Sequence, residues 1–155
     1  MSAFARSLAE LRAARDIAGL VATVPYFRFL GLTAIEVDGE LRTVLPADPK
    51  LIGNPLVPAL HGGVIGGFLE ATAILQLLLA TDTDRVPRTI DIGIDFLRSA
   101  RPVETFARAT IARHGRRVAN VQAFAWQDDP ARPVTVMHGH FLLAERESRA
   151  STSSA

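Results

Sequence analysis

One run limits what this chain can become more than any other: Gly62 to Ala80, GGVIGGFLEATAILQLLLA, which carries a single charge, Glu70, near its middle. A helix of that composition is apolar all round, so it either crosses a membrane or fills the core of a soluble fold. Glu70 argues against the first, because a charge at the bilayer centre costs roughly 2.5–3.5 kcal/mol on insertion scales. Glycines also crowd the first two turns, and the rest of the chain reads as strand. The expectation is a soluble protein with this helix buried and no membrane partner.

A buried helix needs cover on every side, and the residues after it supply a sheet. From Arg88 the period changes to two. Ile90, Ile92, Ile94 and Phe96 alternate with Thr89, Asp91, Gly93 and Asp95, which predicts a strand with one buried face. Val103 to Arg113, Arg117 to Gln127 and Val134 to Ala144 predict three more antiparallel strands, with turns at His114-Gly115-Arg116 and Asp128 to Pro133. Ahead of the helix, Leu32 to Val37 and Leu41 to Leu45 flank Asp38-Gly39-Glu40, a hairpin with a glycine turn. Phe4, Leu8, Leu11, Ala18 and Val21 share one stripe of a single N-terminal helix that Pro25 ends, and Tyr26 to Leu30 leads into the first strand. Prolines 46, 49, 55 and 58 mark Pro46 to Leu60 as a loop.

The fold class is therefore α+β: a curved antiparallel sheet wrapped around the long helix, with a second copy of the chain covering what the sheet leaves open. The 155 residues, 48% of them hydrophobic, fit one domain of ordinary size and exclude a disordered chain. That domain is expected to run from 1 to 144, with a disordered polar tail from Glu145 to Ala155. There is no cysteine, which excludes a disulfide scaffold, a thiolate metal site and a cysteine nucleophile. A formal net charge of +1 is too balanced for a nucleic-acid partner. His138 and His140 fall on one strand face without a third ligand at a suitable spacing, so no metal is expected. Arg6, Glu10, Arg12, Arg15 and Asp16 interrupt any apolar leader between Met1 and Leu20, and the expected location is cytoplasmic.

Chemistry concentrates around the start of the helix. The glycines of His61-Gly62-Gly63 leave N–H groups unshielded where the helix dipole adds partial positive charge. Such a place suits an anion, or a carbonyl oxygen that becomes one in a transition state. The alternative is that His61 only caps the helix while the glycines permit close packing. Glu70 lies among Val64, Ile65, Phe68, Leu69, Ala71, Ala73 and Ile74, where burying a carboxylate without a partner is costly. Gly66 and Ala73, at i−4 and i+3, leave room beside it for a ligand; the alternative is a structural carboxylate satisfied by a backbone group or an arginine. His61 and Glu70 stand about 13 Å apart along the axis and half a turn out of phase. If both serve one site, Glu70 comes from a second subunit.

The run Leu60-His61-Gly62-Gly63, with an acidic residue nine after the histidine, resembles the hotdog-fold acyl-CoA thioesterases of the phenylacetate-pathway (PaaI) type, in the 4-hydroxybenzoyl-CoA thioesterase superfamily. The resemblance covers about Phe29 to Leu143 and includes the strand Thr89 to Leu97 and the turn Arg113 to Arg116. It implies hydrolysis of an acyl-CoA thioester to a carboxylic acid and coenzyme A. It also implies a homodimer paired into a tetramer, with the active site at the dimer interface.

The catalytic set it implies is Gly62, whose N–H meets the thioester carbonyl, His61, which orients the loop, and Glu70 of the facing subunit as general base or nucleophile. Thr89 would help hold the attacking water, and Asn54 belongs to the same set. Gly63, Phe68, Arg113 and Arg116 are implied as substrate contacts. The two arginines suit coenzyme A phosphates, or are ordinary charges that discourage edge pairing. Coenzyme A enters as part of the substrate, and no separate cofactor is implied. Two departures stand out: Asn54 lies seven residues before His61 where the family has six, and the acid is Glu where Asp is common. Rival readings are a hydratase or dehydratase of enoyl or hydroxyacyl thioesters on the same fold, and a non-catalytic acyl-thioester-binding protein.

Overall fold

The computed structural model describes residues 3–144. The tail expected from Glu145 to Ala155 lies outside them, as does the side chain of Phe4. Where one N-terminal helix was expected there are two, α1 (Ala3–Ala13) and α2 (Ile17–Thr23). Arg15 takes a left-handed φ of 51°, which breaks the stripe, and the Asp16 side chain caps α2 by accepting from the Gly19 N–H. Tyr26 to Leu30 is not an extended lead-in but a short helix, α3 (Pro25–Leu30). Pro25 sits in the first turn, where its missing N–H costs nothing, and Gly31 closes the helix at φ 69°.

The sheet has six antiparallel strands in the order β1-β2-β6-β7-β8-β5. β1 (Thr33–Val37) and β2 (Glu40–Leu45) form the expected hairpin. Asp38 and Gly39 both have positive φ at its turn, the geometry that matches strand twist. β6 (Thr105–His114), β7 (Val118–Trp126) and β8 (Thr135–Leu142) continue the sheet. β5 (Arg88–Phe96) crosses over to the far edge, beside β8.

Helix α4 (Gly62–Ala80) lies on the concave face, as expected of a hotdog fold. The sheet floor beneath it is built from small residues, Ala107, Ala119, Ala123 and Ala125, all fully buried. From the helix, Phe68, Leu69, Leu75, Leu77 and Leu78 fill the surrounding core, all of them fully buried. Each such large side chain contributes roughly 1.5–3 kcal/mol on burial. One polar pair is sealed within this interface, the hydroxyls of Thr43 and Thr72, 2.6 Å apart.

Two more sequence readings need correction. Pro46 to Leu60 is not a plain loop. It holds a 3-10 turn (Pro49–Leu51) and a small hairpin of β3 (Ile52–Asn54) and β4 (Val57–Leu60). The Asn54 side chain organises its turn by accepting from the Leu56 N–H at 2.9 Å. Nor does β5 present one buried apolar face. Ile90, Ile92 and Phe96 are 54%, 36% and 56% exposed, because β5 is an edge strand that overhangs the helix. It also carries an extra residue between Thr89 and Asp91, so its alternation changes sides there.

Candidate active site

The start of α4 is organised around His61. The His61 N–H donates to the Leu51 carbonyl at 2.9 Å, which ties the helix start to the 3-10 turn. Its Nδ1 accepts from the Gly63 N–H at 2.9 Å, and its carbonyl accepts from Val64 and Ile65 at 3.0 and 3.1 Å. His61 is thus the helix cap, and it consumes three of the first four N–H groups of α4. The N–H of Gly62 is the one left without an acceptor among the described residues. Gly53 makes this packing possible, since a Cβ there would lie 3.0 Å from the His61 Cα. Gly62 lines an open cleft of about 340 Å³ together with Ile65, Phe96, Leu97, Arg98 and Ala100. A free donor at a helix N-terminus, beside apolar walls, can polarise a carbonyl oxygen placed there.

Glu70 is half-buried rather than enclosed, and its carboxylate accepts a short hydrogen bond from the Thr89 hydroxyl of β5. The partner is therefore neither a backbone group nor an arginine. The room expected beside Glu70 at Gly66 is already filled, since a Cβ there would lie 2.7 Å from the Cδ1 of Ile94. Ala73 is fully buried. These small residues let β5 approach the helix instead of leaving a ligand pocket. Three contacts run along the α4–β5 seam in opposite chain directions: Gly62 with Phe96, Gly66 with Ile94, and Glu70 with Thr89.

The other candidate residues are dispersed within the protomer. Asn54 is exposed and committed to its own turn. Gly63 is exposed, but its N–H is taken by His61. Phe68 is fully buried in the core. Arg113 pairs with Asn120, whose neighbours Ala119 and Val121 are the ones packed inward, so Arg113 belongs to the outer face of the sheet. Arg116 lines a separate groove of about 1120 Å³ with Arg12, Thr81 and Asp82, at the far end of α4. That end lies about 27 Å from the helix start at 1.5 Å per residue. Neither arginine adjoins Gly62 within one chain.

A sequence model described as the thioesterase superfamily matches residues 58–134, the stretch that holds α4 and β5 to β7. The medium/long-chain acyl-CoA thioesterase YigI of Escherichia coli (strain K12) is 30% identical over 110 residues, covering 62% of this chain and 71% of that protein. The chain belongs to the thioesterase superfamily. A crystal structure of a Chromobacterium violaceum protein is 40% identical, with a TM-score of 0.72, covering 90% of this chain and 97% of that one. A phenylacetic acid degradation-related protein from Ralstonia eutropha JMP134 shares the fold at 23% identity and a TM-score of 0.69, covering 82% and 98% of the two chains.

Sequence reasoning overlooked several residues at the edges of this candidate site in the superfamily member. Phe96 and Leu97 line the cleft at Gly62, although periodicity placed Phe96 on a buried face. Tyr26 stacks on Phe29, and its hydroxyl would lie 2.7 Å from a Cβ at Gly67, on the helix turn before Glu70. The signal for it was an aromatic pair spaced by three, which only the short helix α3 makes adjacent. His138 and His140 do share a strand face, and His140 is held by Asp91 and Asn120.

Proposed function

We propose that this protein is an acyl-CoA thioesterase whose active site is completed across a homodimer. The observation that carries this reading is the free N–H of Gly62 in an apolar cleft, in a chain of the thioesterase superfamily. The substrate's thioester carbonyl would accept from that N–H, which stabilises the negative charge that develops on oxygen during attack. His61 contributes by fixing the turn that presents Gly62. Glu70 acts as general base. Thr89 donates to one carboxylate oxygen, and the other takes a proton from water as the water oxygen attacks the carbonyl carbon. The tetrahedral intermediate then breaks its C–S bond, coenzyme A leaves as the thiolate, and the proton held by Glu70 neutralises it. Coenzyme A arrives within the substrate, so hydrolysis calls for no separate cofactor.

Because Glu70 stands about 12 Å down the helix from Gly62, the reading takes the base from the partner subunit. The exposed Ile90, Ile92, Phe96 and Leu97 along the open edge of β5 support that edge as the seam between protomers. An edge strand meeting its own copy gives an isologous pair. Pairing of two such dimers into a tetramer, coenzyme A phosphates on Arg113 and Arg116, and a cytoplasmic location belong to the same proposal. The relative named for medium- and long-chain acyl-CoA supports an apolar acyl group as substrate.

The test uses two variants. Gly62→Pro deletes the free N–H while keeping a residue suited to the first helical position. Glu70→Gln removes the base. Each alone should lower kcat for acyl-CoA hydrolysis by at least about a hundredfold. Refolded as a one-to-one mixture, they should recover about a quarter of wild-type activity, since half the dimers then carry one intact site. No recovery on mixing would place both groups in one chain. Full activity of Glu70→Gln would remove it from the chemistry.

A further inference from the structure

We propose that Asp91, His140 and Asn120 act as positioning residues for the active site by pinning the bulge in β5 that turns Thr89 toward Glu70. Its effect on turnover rests on the functional reading above; its geometry does not.

Register shows why a bulge is needed. In a regular strand Thr89 and Asp91, two apart, would point to the same face. Asp91 pairs with His140, on the outer face of the sheet, and Thr89 would lie there too, away from Glu70. Instead Thr89 pairs with Phe141, which is fully buried on the helix side, and Asp91 pairs with the very next residue of β8. The extra residue is Ile90. Its insertion carries the Thr89 hydroxyl through to the inner face, where it donates to Glu70.

Two separate features meet at this bulge. On the outer face, Asn120, His140 and Asp91 are register neighbours on β7, β8 and β5. The His140 Nδ1 lies 2.9 Å from Asp91 Oδ1, and its Nε2 lies 3.0 Å from the Asn120 Nδ2. The amide nitrogen can only donate, so this arrangement assigns Nε2 as acceptor and Nδ1–H as donor to Asp91. One ring thereby spans three strands with both nitrogens hydrogen-bonded. On the inner face, Gly139 makes room for the displaced backbone. A Cβ there would stand 2.9 Å from the Asp91 carbonyl oxygen and 2.8 Å from Ile92 Cγ2. Asp91 is thus held by its side chain on one face, while on the other its carbonyl occupies space that only a glycine at 139 leaves free.

Magnitudes separate positioning from folding. The His140 and Asp91 side chains are 44% and 62% exposed, and pairs of that kind add little to global stability. Loss of His140 should therefore leave the fold intact and show itself in the placement of Thr89.

The experiment compares His140→Ala, Thr89→Val, their double variant and His140→Asn, whose amide nitrogen can stand where Nδ1 stands. His140→Ala and Thr89→Val should each lower kcat for a hydrolysed acyl-CoA about tenfold with KM within about twofold. The double variant should be no worse than Thr89→Val, because both act through one contact. His140→Asn should restore most of the loss. Gly139→Ala, which attacks the bulge from the other face, should reproduce the loss of kcat. A crystal structure of His140→Ala should show the Thr89 hydroxyl off Glu70. Losses that multiply in the double variant, or a His140→Ala structure with bulge and Thr89–Glu70 bond unchanged, would overturn the proposal. A wild-type protein inert on every acyl-CoA would instead defeat the functional reading, and the crystal structure would still decide this one.

Discussion

Ile94 occupies the notch that Gly66 leaves in α4, its Cδ1 standing 2.7 Å from where a Cβ would be. The obstacle is the tip of a flexible side chain, so one added methyl can be absorbed by a rotamer change of about 0.5–1.5 kcal/mol. Replacing a helical glycine also returns about 1 kcal/mol. Gly66→Ala should leave the melting temperature almost unchanged, whereas Gly66→Leu should lose about 1–3 kcal/mol through overpacking. Thermal unfolding of both variants checks this, and equal losses would show that the seam has no slack.

Thr43 and Thr72 share a hydrogen bond that no water reaches, both residues being fully buried. Thr72→Val strips the Thr43 hydroxyl of that partner and leaves it a 3.3 Å approach to the Ala107 carbonyl. The cost should be about 1–3 kcal/mol, or a fall of roughly 2–4 °C in Tm for each kcal/mol in a chain of this size. The Thr43→Val, Thr72→Val double variant should be less destabilised than the sum of the singles.

Thr135 presents the opposite case. Its hydroxyl is buried and finds no partner among the described residues. Thr135→Val keeps the shape and removes an unsatisfied polar group, so it should raise stability by about 1 kcal/mol. A denaturant midpoint that falls instead would mean the hydroxyl is satisfied in the protein in solution.

Asp48 is held below the ordinary aspartate pKa, chiefly by the backbone N–H of Lys50 at 3.0 Å, with the lysine ammonium adding to it. A carboxyl lowered in the folded state contributes stability above its unfolded pKa and loses it as pH falls through the folded value. Since the backbone donor survives side-chain truncation, Lys50→Ala should leave the Asp48 titration, followed by NMR, still displaced to the acid side. A return to the ordinary range would make the ammonium the main cause.

Long, strongly patterned elements were legible in the sequence, because α4 and β6 to β8 announce themselves by composition and period over many residues. The His61 cap was legible in the paired glycines that follow it, and Glu70 stood out as a lone acid in an apolar helix. What escaped depends on single residues whose effect is three-dimensional. A left-handed Arg15 split one helix into two, and Asn54 turned a proline-rich loop into a hairpin by bonding its own neighbour. The inserted Ile90 moved Thr89 to the other face, which a strict period of two cannot express. Likewise the apolar residues of β5 follow the pattern of a buried strand, yet pattern alone does not reveal that the strand lies at the edge of the sheet.

The order of the strands sets when the site can come into being. β5 follows α4 directly in the chain, but its only neighbour among the described strands is β8, the last to be made. A growing chain therefore releases α4, with Glu70 on it, and then an apolar strand that must wait for β6, β7 and β8 before it finds a strand to pair with. Contacts so distant in sequence form late, and an unpaired apolar strand is prone to stick to others in the interval. The β8 register that turns Thr89 toward Glu70 thus exists only once β8 has been made, and a message truncated ahead of β8 would yield a chain with the acid in place and no strand to hold Thr89 on it.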